Sequence, residues 1–151
     1  MKKAIIMMSA ILIGGVTYAQ KVSESEVPAA VKTKFTSLYP NSKVEKWEKE
    51  KGSYKAEFDE NKSETCVIID DKGNLVKTKT EISISELPAA ATAYIEKNCT
   101  EKKITKACKM TDAKGVVTYK AVVGEKHLFF DSNGTFEKEE KKMHSKKESK
   151  G

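Results

Sequence analysis

The sequence predicts an α+β fold of two tandem repeats, each one helix followed by a four-stranded antiparallel meander, with the sheets forming an open face. Three observations lead there. A short motif recurs at a fixed offset, the apolar residues after each copy follow helical spacing, and the period then drops to two.

The repeat comes first. Ser25-Glu26-Val27-Pro28-Ala29-Ala30 returns as Ser85-Glu86-Leu87-Pro88-Ala89-Ala90, at an offset of 60. Tyr54-Lys55-Ala56 matches Tyr119-Lys120-Ala121, and Ile69-Asp70-Asp71-Lys72-Gly73 answers Phe130-Asp131-Ser132-Asn133-Gly134. Residues 20–82 and 83–137 are read as the two units.

Each unit opens with a helix. Ser25 and Ser85 are the expected N-caps, with proline in the first turn, where a missing N–H costs least. Val27, Val31, Phe35 and Leu38 form the first apolar stripe, and Pro40 ends it. Leu87, Ala91, Tyr94 and Ile95 form the second, which stops near Asn98.

Strands follow. Tyr54, Ala56 and Phe58 alternate with Lys55, Glu57 and Asp59, the pattern of a strand with one wet face. If Glu50–Ser53 closes a hairpin, Trp47 opposes Ala56 and shares the inner face of Tyr54 and Phe58. Thr65–Asp70 and Leu75–Thr80 complete the first meander. The second reads as Lys103–Met110, Val116–Val123, Lys126–Asp131 and Thr135–Glu139, with Asn133-Gly134 as a hairpin signal. One unit alone buries too little surface to be stable, so the two are expected to pair.

The N-terminus reads as an address. Lys2 and Lys3 precede the apolar run Ala4–Val16, and Thr17-Tyr18-Ala19 supplies small residues before Gln20. That is the pattern of a secretory signal peptide over residues 1–19. The run is too short to span a bilayer, so no membrane insertion is expected after cleavage. The mature protein would be periplasmic or secreted. Residues 138–151, rich in lysine and without apolar period, are expected to be disordered.

All 28 cationic side chains are lysine. Without arginine's planar fork, a nucleic-acid reader is disfavoured. Most of the net charge of +6 resides at the ends, because residues 20–136 carry 20 lysines against 18 acids.

Export makes a disulfide expected among Cys66, Cys99 and Cys108. A Cys99–Cys108 bridge would close a short loop, and Cys66–Cys108 is equally allowed by the sequence. The cysteines and histidines lack zinc-site spacing, and the Asp-rich corners at Asp70 and Asp131 suit hairpins better than calcium. No metal or cofactor is expected. Gly-rich phosphate loops, G-x-S-x-G and H-E-x-x-H are all missing, so the chain is read as a non-enzyme.

The ordered set of [VL]-P-A-A, helix, strand hairpin, Tyr-Lys-Ala and an apolar-Asp-x-x-Gly corner resembles the PepSY-like, beta-lactamase-inhibitor-like family of exported bacterial proteins. Phe129-Phe130-Asp131-Ser132-Asn133-Gly134 matches that corner well, and Ile68-Ile69-Asp70-Asp71-Lys72-Gly73 carries isoleucine for the aromatic. The resemblance implies tandem helix-plus-sheet units with a concave sheet face, and a binding or inhibitory role.

If Val67, Ile69, Leu128 and Phe130 face the helices, then Cys66, Ile68, His127 and Phe129 face outward, with Val122 beside them. Apolar groups on a wet face mark an interaction surface. Ile68, Val122, His127 and Phe129 are therefore the candidate site for a protein or peptide partner. The competing function is a periplasmic small-ligand or stress-response protein with a pocket between sheet and helix.

Overall fold

The computed structural model describes residues 19–100 and 102–141. The expected signal peptide, apart from Ala19, and the tail from residue 142 lie outside them. Strand β1 (Gln20–Val22) leads through a 3₁₀ turn (Glu24–Glu26) to helix α1 (Ala29–Leu38). There follow β2 (Lys46–Glu50), β3 (Ser53–Glu60), β4 (Ser63–Asp70) and β5 (Leu75–Ile82). A second 3₁₀ turn (Ile84–Glu86) and helix α2 (Ala89–Asn98) precede β6 (Ile104–Asp112), β7 (Val117–Val123), β8 (Lys126–Phe130) and β9 (Phe136–Lys141).

All nine strands form one antiparallel sheet in chain order. The two meanders do not remain separate sheets, because β5 pairs with β6 from Lys77↔Asp112 to Ile82↔Ala107. On β5, Thr78 pairs with core residue Val67, and Ile82, two alternations on, packs against the second core. Both helices therefore cover the same face of the sheet.

Each helix starts later than the sequence suggested. Ser23 and Ser83, rather than Ser25 and Ser85, head the 3₁₀ turns, where the Glu26 and Glu86 carboxylates accept their backbone N–H at 2.8 and 2.7 Å. Val27 and Leu87 precede proline and are held extended, so α1 and α2 begin only after Pro28 and Pro88.

The helix stripes bury as their spacing requires. Val27, Val31 and Phe35 meet Trp47, Tyr54, Ala56, Phe58, Val67 and Ile69. Leu38 stays largely exposed, and Tyr39 packs in its stead. Trp47 does oppose Ala56, across a two-residue turn at Lys51-Gly52 with φ of 49° and 77°. In the second unit Leu87, Ala91 and Ile95 meet Ala107, Ala121, Val123, Leu128 and Phe130.

β8 and β9 pair antiparallel across Asn133-Gly134, as expected, through a loop longer than two residues. Asp131 opens a wider loop in which Gly134 N–H donates to Asp131 C=O and Asp131 N–H to Thr135 C=O, with Gly134 at φ 85°. Lys138–Lys141, assigned to the tail, belong to β9, where pairing with β8 orders them.

Candidate binding face

Alternation settles which side chains occupy the face opposite the helices. Val67 and Ile69 are in the first core, so Cys66 and Ile68 point away from it. Ala121, Val123, Leu128 and Phe130 are in the second core, so Val122, His127 and Phe129 also point away. Among the described residues, no helix covers this face.

Three of the four candidates come together. Val122 pairs with His127, and Phe129 is the next residue on that face of β8. Lys138 pairs with Phe129 and holds its ammonium 4.7 Å from the ring centroid, a cation–π contact. His127 lies opposite Glu140. Ile68 stands apart, paired with Lys55 and Lys77. Strands β5 and β6 separate it from Val122, and the register staggers the two positions along the strands as well, since Ile68 aligns through Lys77 with Asp112 while Val122 pairs with Lys106, so they stand roughly 25 Å apart.

The rest of this face is charged, on β2 and β3 beyond Ile68 and on β5 and β6 between it and Val122. The Glu48 carboxylate touches Lys46 and Lys55, and Lys55 also meets Glu57 at 2.7 Å. Hydrogen bonds from Lys46 and then Lys55 hold the Glu48 carboxyl below the usual carboxylate range. Burial works against the Lys55 charge, but the Glu48 and Glu57 carboxylates outweigh it and raise its pKa. Lys106 of β6 reaches Glu81 at 2.9 Å and Glu64 at 3.3 Å, tying the second unit to the first across β5.

Lys120 was not singled out from the sequence, although the alternation of Tyr119-Lys120-Ala121 puts it on this face. It lies half-buried between its cross-strand partners Cys108 and Phe129. Burial first, and then the charge of Lys79, lower its pKa. What the sequence could not supply was the β6–β7–β8 register that places it next to Phe129.

The cysteines are free thiols. Cys99 packs against the second core on the helix side, whereas Cys108, adjacent to core residue Ala107 on β6, points to the opposite face. The sheet lies between them, and the expected Cys99–Cys108 bridge is not made. Cys66 shares the open face, and burial pushes its thiol pKa up.

The Asp corners are structural. The Asp70 carboxylate accepts from the N–H groups of Lys72 and Asn74, and that of Asp131 from Asn133 and Thr135. Asp112 does the same for Lys114 and Val116, a third corner with no helix motif attached.

A one-sided antiparallel sheet carrying two repeated helices on one face defines a class of scaffold. Residues 16–77 and 70–138 each match the family described as "Putative beta-lactamase-inhibitor-like, PepSY-like". The chain belongs to this PepSY-like family. No curated protein matches it.

Solved structures share the fold. A DUF2874 family protein from Bacteroides uniformis ATCC 8492 is 19% identical with a TM-score of 0.71, covering 78% of this chain and 91% of its own. A protein from Bacteroides eggerthii DSM 20697, described as putative periplasmic, is 18% identical at a TM-score of 0.70, covering 76% and 88%. A BLIP-like protein from Bacteroides fragilis NCTC 9343 is 25% identical at a TM-score of 0.62, covering 76% and 86%.

Proposed function

We propose that this is an exported, non-enzymatic binding protein, resident in the periplasm or secreted. Its open sheet face holds a protein or peptide partner and acts as an inhibitor of an envelope or secreted enzyme. The observation that carries the reading is the patch of Val122, His127 and Phe129 on a face that no helix of the described chain covers. Contiguous apolar groups on a wet sheet face mark a surface that a partner buries. Phe129 is the anchor, Val122 and His127 its neighbours, and Ile68 a separate second contact four strands away on β4.

Export is supported by the N-terminal sequence and by the periplasmic description of the Bacteroides eggerthii neighbour. The inhibitory role is supported by the family description and the BLIP-like neighbour.

The test is a pull-down from envelope and culture-supernatant extracts with Gln20–Gly151 and its Phe129→Asp variant. Phe129 is paired on a sheet face outside both cores, so the variant should keep its fold. A partner retained by the wild type and lost by the variant is the expected result. Equal capture by both baits would rule out this face.

A further inference from the structure

The two units are not equally filled, and the difference leaves a groove in the second. In the first, α1 closes on β2 through Phe35, Tyr39 and Trp47, with Phe58 against Phe35 and Tyr39 at 5.0 and 4.6 Å between ring centroids. At the offset of 60, Phe35, Tyr39 and Trp47 become Ile95, Cys99 and Ala107. The correspondence is structural as well. Tyr39 and Cys99 both cap their helices, and Val22↔Trp47 answers Ile82↔Ala107 in strand pairing. Three large side chains are thus replaced by smaller ones at matched positions.

The result is a groove of about 480 Å³ at the C-terminal end of α2, against about 240 Å³ at the matching place in the first unit. Its wall changes character too. Glu24 and Lys32 of the first groove become Ile84 and Thr92 in the second. Ile84 is 44% exposed, an apolar side chain at the groove with no counterpart in the first unit. Ile84, Ile95, Cys99 and Ile104 form the apolar lining, and Lys102 and Lys103 supply its positive charge, the Lys102 side chain running over Gly124. A second hollow of about 220 Å³ shares Cys99, Thr100 and Lys102 and continues towards Val123 and Lys126.

We propose that this groove binds a medium-chain carboxylate, its alkyl chain along the isoleucines and its head at Lys102 and Lys103. Charge complementarity decides the head group. Among the described residues Glu96 is the acid lining the groove, and Lys126 is engaged by Glu139 at 3.1 Å, whereas Lys102 and Lys103 form no ion pair with a described carboxylate. The end of a helix disfavours an anion through its carbonyls. Here the Tyr94, Ile95 and Cys99 carbonyls already accept from the Asn98 side chain, Cys99 N–H and Lys102 N–H. The proposal is independent of the open face, since the groove lies on the helix side of the sheet.

The experiment titrates Gln20–Gly151 with decanoate and, in parallel, with decanol, reading calorimetric affinity, thermal midpoint and iodoacetamide labelling of Cys99. Decanoate should bind, raise the midpoint with concentration and slow Cys99 labelling. Decanol should bind at least tenfold more weakly. Cys99→Tyr, which restores the first unit's residue, should abolish binding. The double variant Lys102→Ala/Lys103→Ala, at surface positions, should weaken decanoate at least tenfold without loss of fold. Any of three results overturns the proposal: no decanoate binding to the wild type, undiminished binding by the folded variants, or decanol binding as tightly as decanoate. Should Cys99→Tyr fail to fold, the double variant and the labelling decide alone.

Discussion

Gly134 lies directly against the first turn of α2, so closely that a Cβ built on it would come within 2.8 Å of the backbone nitrogen of Ala91. Gly73 stands in the same relation to α1, with the Ala30 carbonyl oxygen at 2.9 Å from such a Cβ. The recurring Pro-Ala-Ala and Asp-x-x-Gly motifs are therefore two halves of one contact. Small residues open the helix because a hairpin corner packs on them, and glycine closes the corner because nothing larger fits. The motifs that identify the family encode packing.

That contact predicts a contrast. Gly115 has a similar backbone, φ 83°, but open space where a Cβ would go. Gly115→Ala should lose only about 1–2 kcal/mol for its left-handed conformation. Gly134→Ala adds overpacking of about 1–3 kcal/mol against the helix. Urea denaturation of both variants checks this, and equal losses would show that the helix contact is not restrictive.

Lys62 occupies the second position of the β3–β4 turn at φ 67°, after Asn61 at φ 50°. Glycine is preferred there. Lys62→Gly should relieve about 1–2 kcal/mol of backbone strain and return roughly 0.5–1 kcal/mol through greater unfolded-chain freedom. A small net gain in thermal midpoint is expected. A lowered midpoint would mean that the lysine side chain contributes more than its backbone costs.

Acid should destabilise the fold through its corners. The Asn74 N–H and side chain hold the Asp70 carboxyl below its ordinary 3.8, and the Thr135 N–H does so for Asp131. A carboxyl depressed in the folded state stabilises at neutral pH, and that contribution is lost as pH falls below 3.8 and through the folded value. Asp70→Asn/Asp131→Asn should therefore flatten the decline of the thermal midpoint between about pH 5 and 2. An unchanged acid slope would show that these two carboxylates carry no linked stability.

Much of the architecture was legible because it rests on local periodicity. The helix stripes through Val31 and Phe35, and through Ala91 and Ile95, needed only the 3.6-residue repeat. Trp47 could be placed opposite Ala56 because a hairpin fixes register over a few residues. The helix starts were misplaced, since serines at positions 23 and 25 offer similar caps and only the extended residue before proline decides between them. The inward or outward sense of Ile68, Val122, His127 and Phe129 followed from alternation. Their mutual distance did not, because it depends on how many strands intervene.

By itself, then, the sequence determined the repeated order of a helix and a four-stranded meander and which side chains share each face, but not strand β1, the helix starts or the end of β9. What it determined follows from spacings within one segment of chain. The tertiary structure decided that β5 and β6 join the units into one sheet, that the sheet separates Cys99 from Cys108, and that Lys120 lies beside Phe129. It also decided that replacing Phe35, Tyr39 and Trp47 with Ile95, Cys99 and Ala107 opens a groove. Each depends on contacts between residues far apart in sequence, where pairing register and side-chain volume, rather than periodicity, set what meets what.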